Sequence, residues 1–327
     1  MFHFIFANNP AAFNIAFGAG VFITFAATLF LCNFGKKFLP SDHGRAFAVN
    51  GQLSKGKPRG AGMIFVFIFA ISALIFVEFT VENLIYIVLI MLARLFGYLD
   101  DRSKKPWSDY LKGALDLVLS IAAALTYVAY NGTTVHLYVF DEISFTMPVV
   151  PFVILAVILI WVSVNVTNCS DGVDGLCTSL SLVTLVSIYG VCKFNAITFG
   201  LDSSQTTHMI ILFCSTLAAY LWFNAPPSKM LMGDAGSRAI GFFIALLCLK
   251  TGTPFVFVPV ALVLILDGGL GLIKIFLLRF FKIKILVNTR TPLHDQMRKV
   301  RGWSDSQVVF RFVIVQAIVS AIFILLP

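Results

Sequence analysis

Five aspartates stand in three short motifs whose spacing could hold a charged ligand. They are Asp100 and Asp101 in Gly97-Tyr98-Leu99-Asp100-Asp101, Asp171 and Asp174 in Asn168-Cys169-Ser170-Asp171-Gly172-Val173-Asp174-Gly175, and Asp234 in Met232-Gly233-Asp234-Ala235-Gly236-Ser237. Adjacent carboxylates repel, and they are tolerated where a cation or a lysine sits between them or where one keeps its proton. Oxygen ligands without a Cys/His set favour Mg²⁺ or Mn²⁺ over zinc, and Mg²⁺ commonly shares its coordination between one or two carboxylates, water and substrate phosphate. Lys104 and its neighbours supply the positive charge that phosphate oxygens require. Gly172, Gly175, Gly233 and Gly236 flank the acids, where a missing side chain lets backbone N–H groups approach an anion. Taken singly, each motif has a plainer reading: Asp100-Asp101 as a solvated pair, Asp174 and Asp234 as helix caps. An EF-hand is excluded at Asp171, because no acidic twelfth ligand follows and Leu176 opens an apolar run. Together, the three motifs point to a site for phosphate and a divalent metal.

The elements that must position these residues are membrane helices. Hydrophobic residues make up 59% of the 327-residue chain and charged residues 12%, against about 45–50% and 25% in soluble domains. Thirty-four Phe against sixteen acids cannot be covered by a water-facing surface. That composition excludes a disordered chain, a coiled coil and a soluble enzyme. A crossing helix needs about 20 apolar residues, and ten runs qualify or nearly do: 11–32, 62–79, 83–99, 110–130, 149–167, 177–193, 207–224, 237–250, 254–281 and 307–326. The eighth is short and the ninth long. The expected fold is therefore all-α, one polytopic transmembrane domain over 1–327 with about ten helices.

Charge gives the orientation. With the loops after odd-numbered spans placed inside, twenty of the 24 Lys and Arg fall on the cytoplasmic side. Lys193 and Lys250 fall outside, and Arg94 and Lys274 lie within spans. Both termini are then extracytoplasmic. No Lys or Arg precedes the first span, so no cleaved secretory signal is expected there. The net charge of +8 is explained by basic loops rather than by a nucleic-acid partner, and none is expected. All three acidic motifs fall on the cytoplasmic face.

Other polar residues are less easily placed. His294, in Arg290-Thr291-Pro292-Leu293-His294-Asp295-Gln296, stands in a charged cytoplasmic cluster, whereas His3, His136 and His208 fall on the outer side. Asp267 and Lys274 lie in the ninth span, seven residues apart and so on one helix face. Either they pair with each other or Asp267 supports the site from beneath. The six Cys form no CxxC and read as small buried hydrophobes, not as a metal site or a disulfide framework.

With these motifs in hand, the sequence resembles the polyprenyl-phosphate N-acetylhexosamine-1-phosphate transferase superfamily, glycosyltransferase family 4. Gly97-Tyr98-Leu99-Asp100-Asp101-x-x-Lys104, Asn168-x-x-Asp171-Gly172-x-Asp174-Gly175-Leu176, and Asn224 followed by Met232-Gly233-Asp234-x-Gly236-Ser237 match its acidic motifs in order. Gly56-Lys57-Pro58-Arg59-Gly60-Ala61-Gly62, Thr291-Pro292-Leu293-His294 and Gly302-Trp303-Ser304-Asp305-Ser306-Gln307 are most similar to its phospho-N-acetylmuramoyl-pentapeptide transferase branch. That branch normally carries three consecutive His where this chain has His294-Asp295-Gln296, and an aromatic where it has Leu231.

The resemblance implies a Mg²⁺-dependent (or Mn²⁺-dependent) phosphotransferase in a bacterial plasma membrane. A polyprenyl phosphate, undecaprenyl phosphate by analogy, attacks the β-phosphorus of a UDP-activated amino sugar. UMP leaves and a lipid-linked sugar diphosphate forms for cell-wall synthesis. It implies Asp234 as the principal metal ligand, with Asp100 and Asp101 acting on the lipid phosphate or supporting the metal. It places Asp171, Asp174, Asn168 and Asn224 near nucleotide and diphosphate, Lys104 and His294 on phosphate, and Lys57 and Gly233 in the same binding surface. Phospho-N-acetylmuramoyl-pentapeptide is the favoured group transferred; UDP-GlcNAc, initiating teichoic acid or a surface polysaccharide, is the alternative. A homodimer is compatible with the family. A transporter is the competing class, although its polar residues should gather near the membrane midplane.

Overall fold

In the computed structural model the apolar runs fold into helices whose ends lie close to the expected ones. The structure describes residues 5, 9–42, 44, 51–103, 105, 107–138, 143–198, 200 and 203–326. The order is α1 (Pro10–Gly35), α2 (Gly62–Phe76), α3 (Val81–Arg102), α4 (Asp109–Asn131), α5 (Val149–Cys169), α6 (Leu176–Thr198), α7 (Ser204–Asn224) and α8 (Gly233–Lys250). A bent pair follows, α9 (Pro254–Val260) and α10 (Leu262–Phe281), then α11 (Leu293–Arg301) and α12 (Asp305–Ile324). Side-chain caps fix several starts: Thr80 accepts the Asn83 N–H, Ser108 that of Leu111, and Ser304 and Gln307 form a capping box at α12.

Seven of these helices (α1, α3–α7 and α12) are long and apolar enough to cross a membrane, and the bent pair makes an eighth if taken as one span. The remaining two of the ten expected spans differ in kind. α2 has only 15 residues. α8 carries Asp234, Arg238 and Lys250, and it is wrapped by other helices, every residue from Gly233 to Leu249 being buried. Outward-facing Phe22, Val150, Trp222 and Ile318 are exposed, as suits contact with lipid rather than water.

The ninth span is not one straight helix. Pro259 lacks an amide hydrogen, the chain leaves helical geometry at Ala261, and the two parts meet at 73°. Gln316 of α12 fills the break: its amide donates to the Pro259 carbonyl at 3.0 Å and accepts from Val263 N–H at 2.8 Å. Beyond it, Ile265–Gly269 is a π-helical stretch. Two small elements are absent from the hydropathy reading. An antiparallel hairpin pairs Thr134–His136 with Ser144–Thr146, and α11 is a short polar helix closed by Gly302 at φ 69°.

α8 packs chiefly on α3 and α5, and its first turn also meets α2. Glycines let backbones touch there. A Cβ on Gly97 of α3 would run into the backbone at Asp234–Ala235, and one on Gly62 of α2 into Gly236. Further along, a Cβ on Gly241 would lie 2.6 Å from the Ser163 carbonyl oxygen of α5. This is the small-residue packing of membrane helices, where close approach replaces a hydrophobic driving force. At the far end, Glu82 accepts from Lys250 Nζ at 2.9 Å, Tyr86 hydroxyl at 2.9 Å and Asn131 at 2.6 Å, locking α3, α4 and α8 together. Gly241→Ala should therefore destabilise the protein by roughly 1–3 kcal/mol through overpacking. Thermal unfolding in detergent checks this, and an unchanged midpoint would contradict the tight α5–α8 contact.

Candidate active site

The first turn of α8 delivers Asp234 to the end of the bundle where α3 ends and α4 begins. Three cations surround it. Arg59 Nη2 lies 3.4 Å from Oδ1, while Lys112 Nζ and Arg238 Nε each lie 3.4 Å from Oδ2. Each cation also holds another acid. Arg59 donates through Nε to Asp101 at 2.8 Å and through Nη1 to Asp42 at 3.0 Å. Lys112 is paired with Asp100, and Arg238 Nη1 donates to Asp116 at 2.6 Å.

The backbone explains why these groups meet. Residues 58–62 lie against 231–232: Leu231 N–H donates to the Pro58 carbonyl, and the Leu231 and Met232 carbonyls accept from Gly60, Ala61 and Gly62. The Gly56–Gly62 motif thus presses Arg59 onto the α8 start. Gly233 has φ 68°, and a Cβ there would collide with the Asp101 carboxylate. Asp101 accepts the Ala235 N–H at 3.2 Å, and Asp100 accepts that of Trp107 at 2.7 Å. Asp101 is enclosed, its side chain 0% exposed, whereas that of Asp234 is 11% exposed. Asp234 is thus the more accessible of the two.

Two groups lie outside the helices. Burial works against the charge of Asp42, but hydrogen bonds from Ser54, Arg59 and the Gly44 N–H outweigh it and lower its pKa below the ordinary carboxylate value. Burial likewise opposes the charge of Arg59, and Asp101, Asp234 and Asp42 more than restore it.

The second motif lines an adjoining surface. Lys57 Nζ reaches Asp174 at 3.2 Å and the Ser228 hydroxyl at 3.0 Å, and Asp174 also accepts the Ser228 N–H at 2.8 Å. Asp174 is therefore tied to the loop before α8 and does not cap α6. Asn168 donates to Ser237 at 2.9 Å beside the Asp234 carboxylate. Asp171 sits half-buried in the turn after α5. The Asn224 side chain is bonded within the protein, accepting from Gly175 N–H and Thr178 hydroxyl and donating to the Met230 carbonyl. It fastens the turn to the 225–232 loop. Lys104 lies outside the described residues.

His294 is buried at the head of α11. Its ring Nδ1 lies 2.9 Å from Asp267 Oδ2, and its backbone N–H donates to Asp267 Oδ1 at 2.8 Å. With Asp267 ionised, Nδ1 carries the proton. Nε2 then faces Gly172, where a Cβ would collide with the ring. Of the two readings of Asp267, pairing with Lys274 fails, and Asp267 instead holds His294. Lys274 is not its partner: it donates to the Leu286 and Thr289 carbonyls at 3.0 and 2.9 Å. Asp295 and Gln296, which stand where His is normal, turn inward, Asp295 toward Arg290 and Arg298 and Gln296 to the Arg290 N–H.

Among the described residues no three His, Cys, Asp or Glu side chains form a ready-made metal cage. The donor chemistry still fits Mg²⁺, which needs only one or two carboxylates. The ion-paired cluster joins five acids (Asp42, Asp100, Asp101, Asp116 and Asp234) through three bases (Arg59, Lys112 and Arg238). Fully ionised, it carries two uncompensated negative charges, which one divalent cation would balance. Arg59, Lys112, Asp116 and Arg238 were not singled out from sequence. Two signals could have found them: Asp116 interrupts an apolar run, and Lys112/Asp116 and Asp234/Arg238 both stand at the i, i+4 spacing of one helix face.

The helical bundle is that of a polytopic membrane protein, with a buried cluster of ion-paired charges at one end. The model of glycosyl transferase family 4 matches residues 83–252. A phospho-N-acetylmuramoyl-pentapeptide-transferase of Treponema pallidum (strain Nichols) is 38% identical over 326 residues, covering 94% of this chain and 87% of that one. Transferases of the same name from Dictyoglomus turgidum and the Wolbachia of Drosophila simulans are 29% and 26% identical, covering 80% and 81% of this chain and 81% and 83% of theirs. The chain belongs to glycosyl transferase family 4, and it is a multi-pass membrane transferase. That membership sets the transporter reading aside.

Gly233→Ala should lower activity at least tenfold, because it strains a positive φ by roughly 1–2 kcal/mol and displaces Asp101. Gly113→Ala in α4, where a Cβ meets nothing within 4 Å, should leave stability unchanged or slightly raised. Turnover and thermal unfolding of both variants check the contrast.

Proposed function

We propose that the protein transfers phospho-N-acetylmuramoyl-pentapeptide from its UDP derivative to undecaprenyl phosphate at the cytoplasmic face of a bacterial plasma membrane. The observation that carries this reading is the convergence of Asp100, Asp101 and Asp234 on Arg59, Lys112 and Arg238 at one end of the bundle. It occurs in a chain 38% identical to a transferase of that name.

An oxygen of the lipid phosphate forms a bond to the β-phosphorus of the nucleotide. The bond from that phosphorus to the bridging oxygen breaks, and UMP leaves with the electron pair. Such a transfer needs positioning and charge neutralisation more than covalent chemistry. Asp234 would hold Mg²⁺ (or Mn²⁺), which when bound offsets charge on the diphosphate and on the departing UMP. Lys112 and Arg59, each with a fifth of its side chain open, supply fixed positive charge for the phosphate oxygens. Asp100 aims Lys112 and receives the lipid phosphate. Asp101 fixes Arg59 and the α8 start. Lys57, Asp174, Asn168 and Asp171 form the adjoining side for the nucleotide, and Asn224 and His294 hold its turn in place. Gly233 keeps a side chain out of the centre.

The alternative donor is UDP-GlcNAc: where the pentapeptide branch carries two further His, this chain has Asp295, facing Arg290 and Arg298, and Gln296, bonded to the Arg290 N–H. UMP release by the purified protein with undecaprenyl phosphate decides between them. Release with UDP-MurNAc-pentapeptide, abolished by EDTA and restored by Mg²⁺, is expected. Release from UDP-GlcNAc alone would move the substrate. Asp234→Ala should reduce turnover by about 10³-fold or more, and appreciable residual activity would overturn its assignment.

A further inference from the structure

Three cations crowd Asp234, yet none closes on it. All three contacts are 3.4 Å, whereas charge-assisted N–H···O bonds settle at about 2.7–2.9 Å. Each cation is nearer to a different carboxylate: Arg238 to Asp116 at 2.6 Å, Arg59 to Asp101 at 2.8 Å and Asp42 at 3.0 Å, and Lys112 to Asp100. The outer bonds are short and the inner ones slack.

Asp116 and Arg238 make the arrangement most plainly. Asp116 stands four residues beyond Lys112 on α4, and Arg238 four residues beyond Asp234 on α8. The two helices therefore present a square of alternating charge: Lys112, Asp234, Arg238, Asp116. Both members of the outer pair are 6% exposed. Burying such a pair is costly, and an apolar pair of similar volume often serves stability as well or better. Stability alone does not call for an ionic pair here.

We infer that Asp116 and Asp42 are positioning residues that draw Arg238 and Arg59 off Asp234, leaving its carboxylate without a close charge-assisted bond and open to a divalent cation. The inference rests on the reading of Asp234 as the metal ligand. Asp42 performs the task from the loop side, braced by Ser54 at 2.6 Å and the Gly44 N–H at 3.0 Å. Asp116 performs it from within the bundle. Without Asp116, Asp234 is the one carboxylate left in contact with Arg238 among the described residues. The guanidinium then closes on it and competes with the metal.

Mn²⁺ binding to the full-length protein in detergent, without substrates, tests this through the electron paramagnetic resonance signal of free Mn²⁺. Asp116→Asn and Asp42→Asn should each weaken binding roughly tenfold. Arg238→Gln should bind as tightly as wild type or tighter, because it removes the competitor. The double variant Asp116→Asn/Arg238→Gln should return to within about threefold of wild type. A purely structural role predicts weaker binding in every variant, so the opposite signs separate the two. Unchanged binding in Asp116→Asn, or a double variant as weak as the single, overturns the inference. If Asp116→Asn does not fold, Arg238→Gln decides alone, and a tenfold loss there overturns it. Asp234→Asn is the control: binding equal to wild type would overturn the metal reading and this inference with it, whereas its loss beside an unchanged Asp116→Asn overturns the inference only.

Discussion

The Asp234 carboxylate, shared among three cations that are each also bound elsewhere, is the constraint on which the site depends. A buried cluster with five acids and three bases is tolerable only if every member is fixed and the surplus charge is met by a cation or by a retained proton. Much of the surrounding structure serves that fixation. The parallel bridge between Arg59 and Leu231 sets one guanidinium, the Lys112–Asp116 spacing on α4 sets an ammonium and an acid together, and backbone contact at Gly62 and Gly97 sets the height of the α8 start.

A second group meets the first at the end of α5. The Asp267–His294 pair is assembled from a π-helical stretch of α10 and the head of α11, and its ring lies under the turn that carries Asp171 and Asp174. Arg298 adds a hydrogen bond to the Gly172 carbonyl at 3.4 Å and an ion pair to Asp305 at 2.9 Å. The turn is thus held from below by α11 and from above by Lys57 and Asn224. The break at Ala261, with Gln316 in it, gives α10 a direction different from that of α9, so that Asp267 meets this turn.

Much of this was legible in the sequence. Apolar runs and charged boundaries located the helices because lipid permits few alternatives, and the three acidic motifs lay together as expected. What escaped was pairing. Periodicity tells which residues of a helix share a face, not which face meets which, so the partners Lys112–Asp234 and Arg238–Asp116 were invisible. The Asp267–Lys274 pairing failed for a local reason: the wide turn at Ile265–Gly269 shifts the phase of the helix, and residues seven apart no longer align. α11 and the small hairpin escaped because neither is an apolar run. Asn224 was placed near the nucleotide through the resemblance of its motif; only the surrounding loop reveals that it also fastens the turn at Gly175 to Met230.

The enclosure of α8 has a consequence for how the protein is made. A segment with Asp234, Arg238 and Lys250 among eighteen residues is a poor candidate for lipid on its own merits. Its surroundings in the finished protein are the backbones of α3 and α5 and the partner charges at its two ends: Arg59, Lys112 and Asp116 at one, Glu82 and Asn131 at the other. α3, α4 and α5 all precede it in the chain. The earlier helices therefore act as a solvent into which α8 partitions as it leaves the ribosome, and the Asp234 carboxylate enters the membrane escorted by the residues that will later hold it.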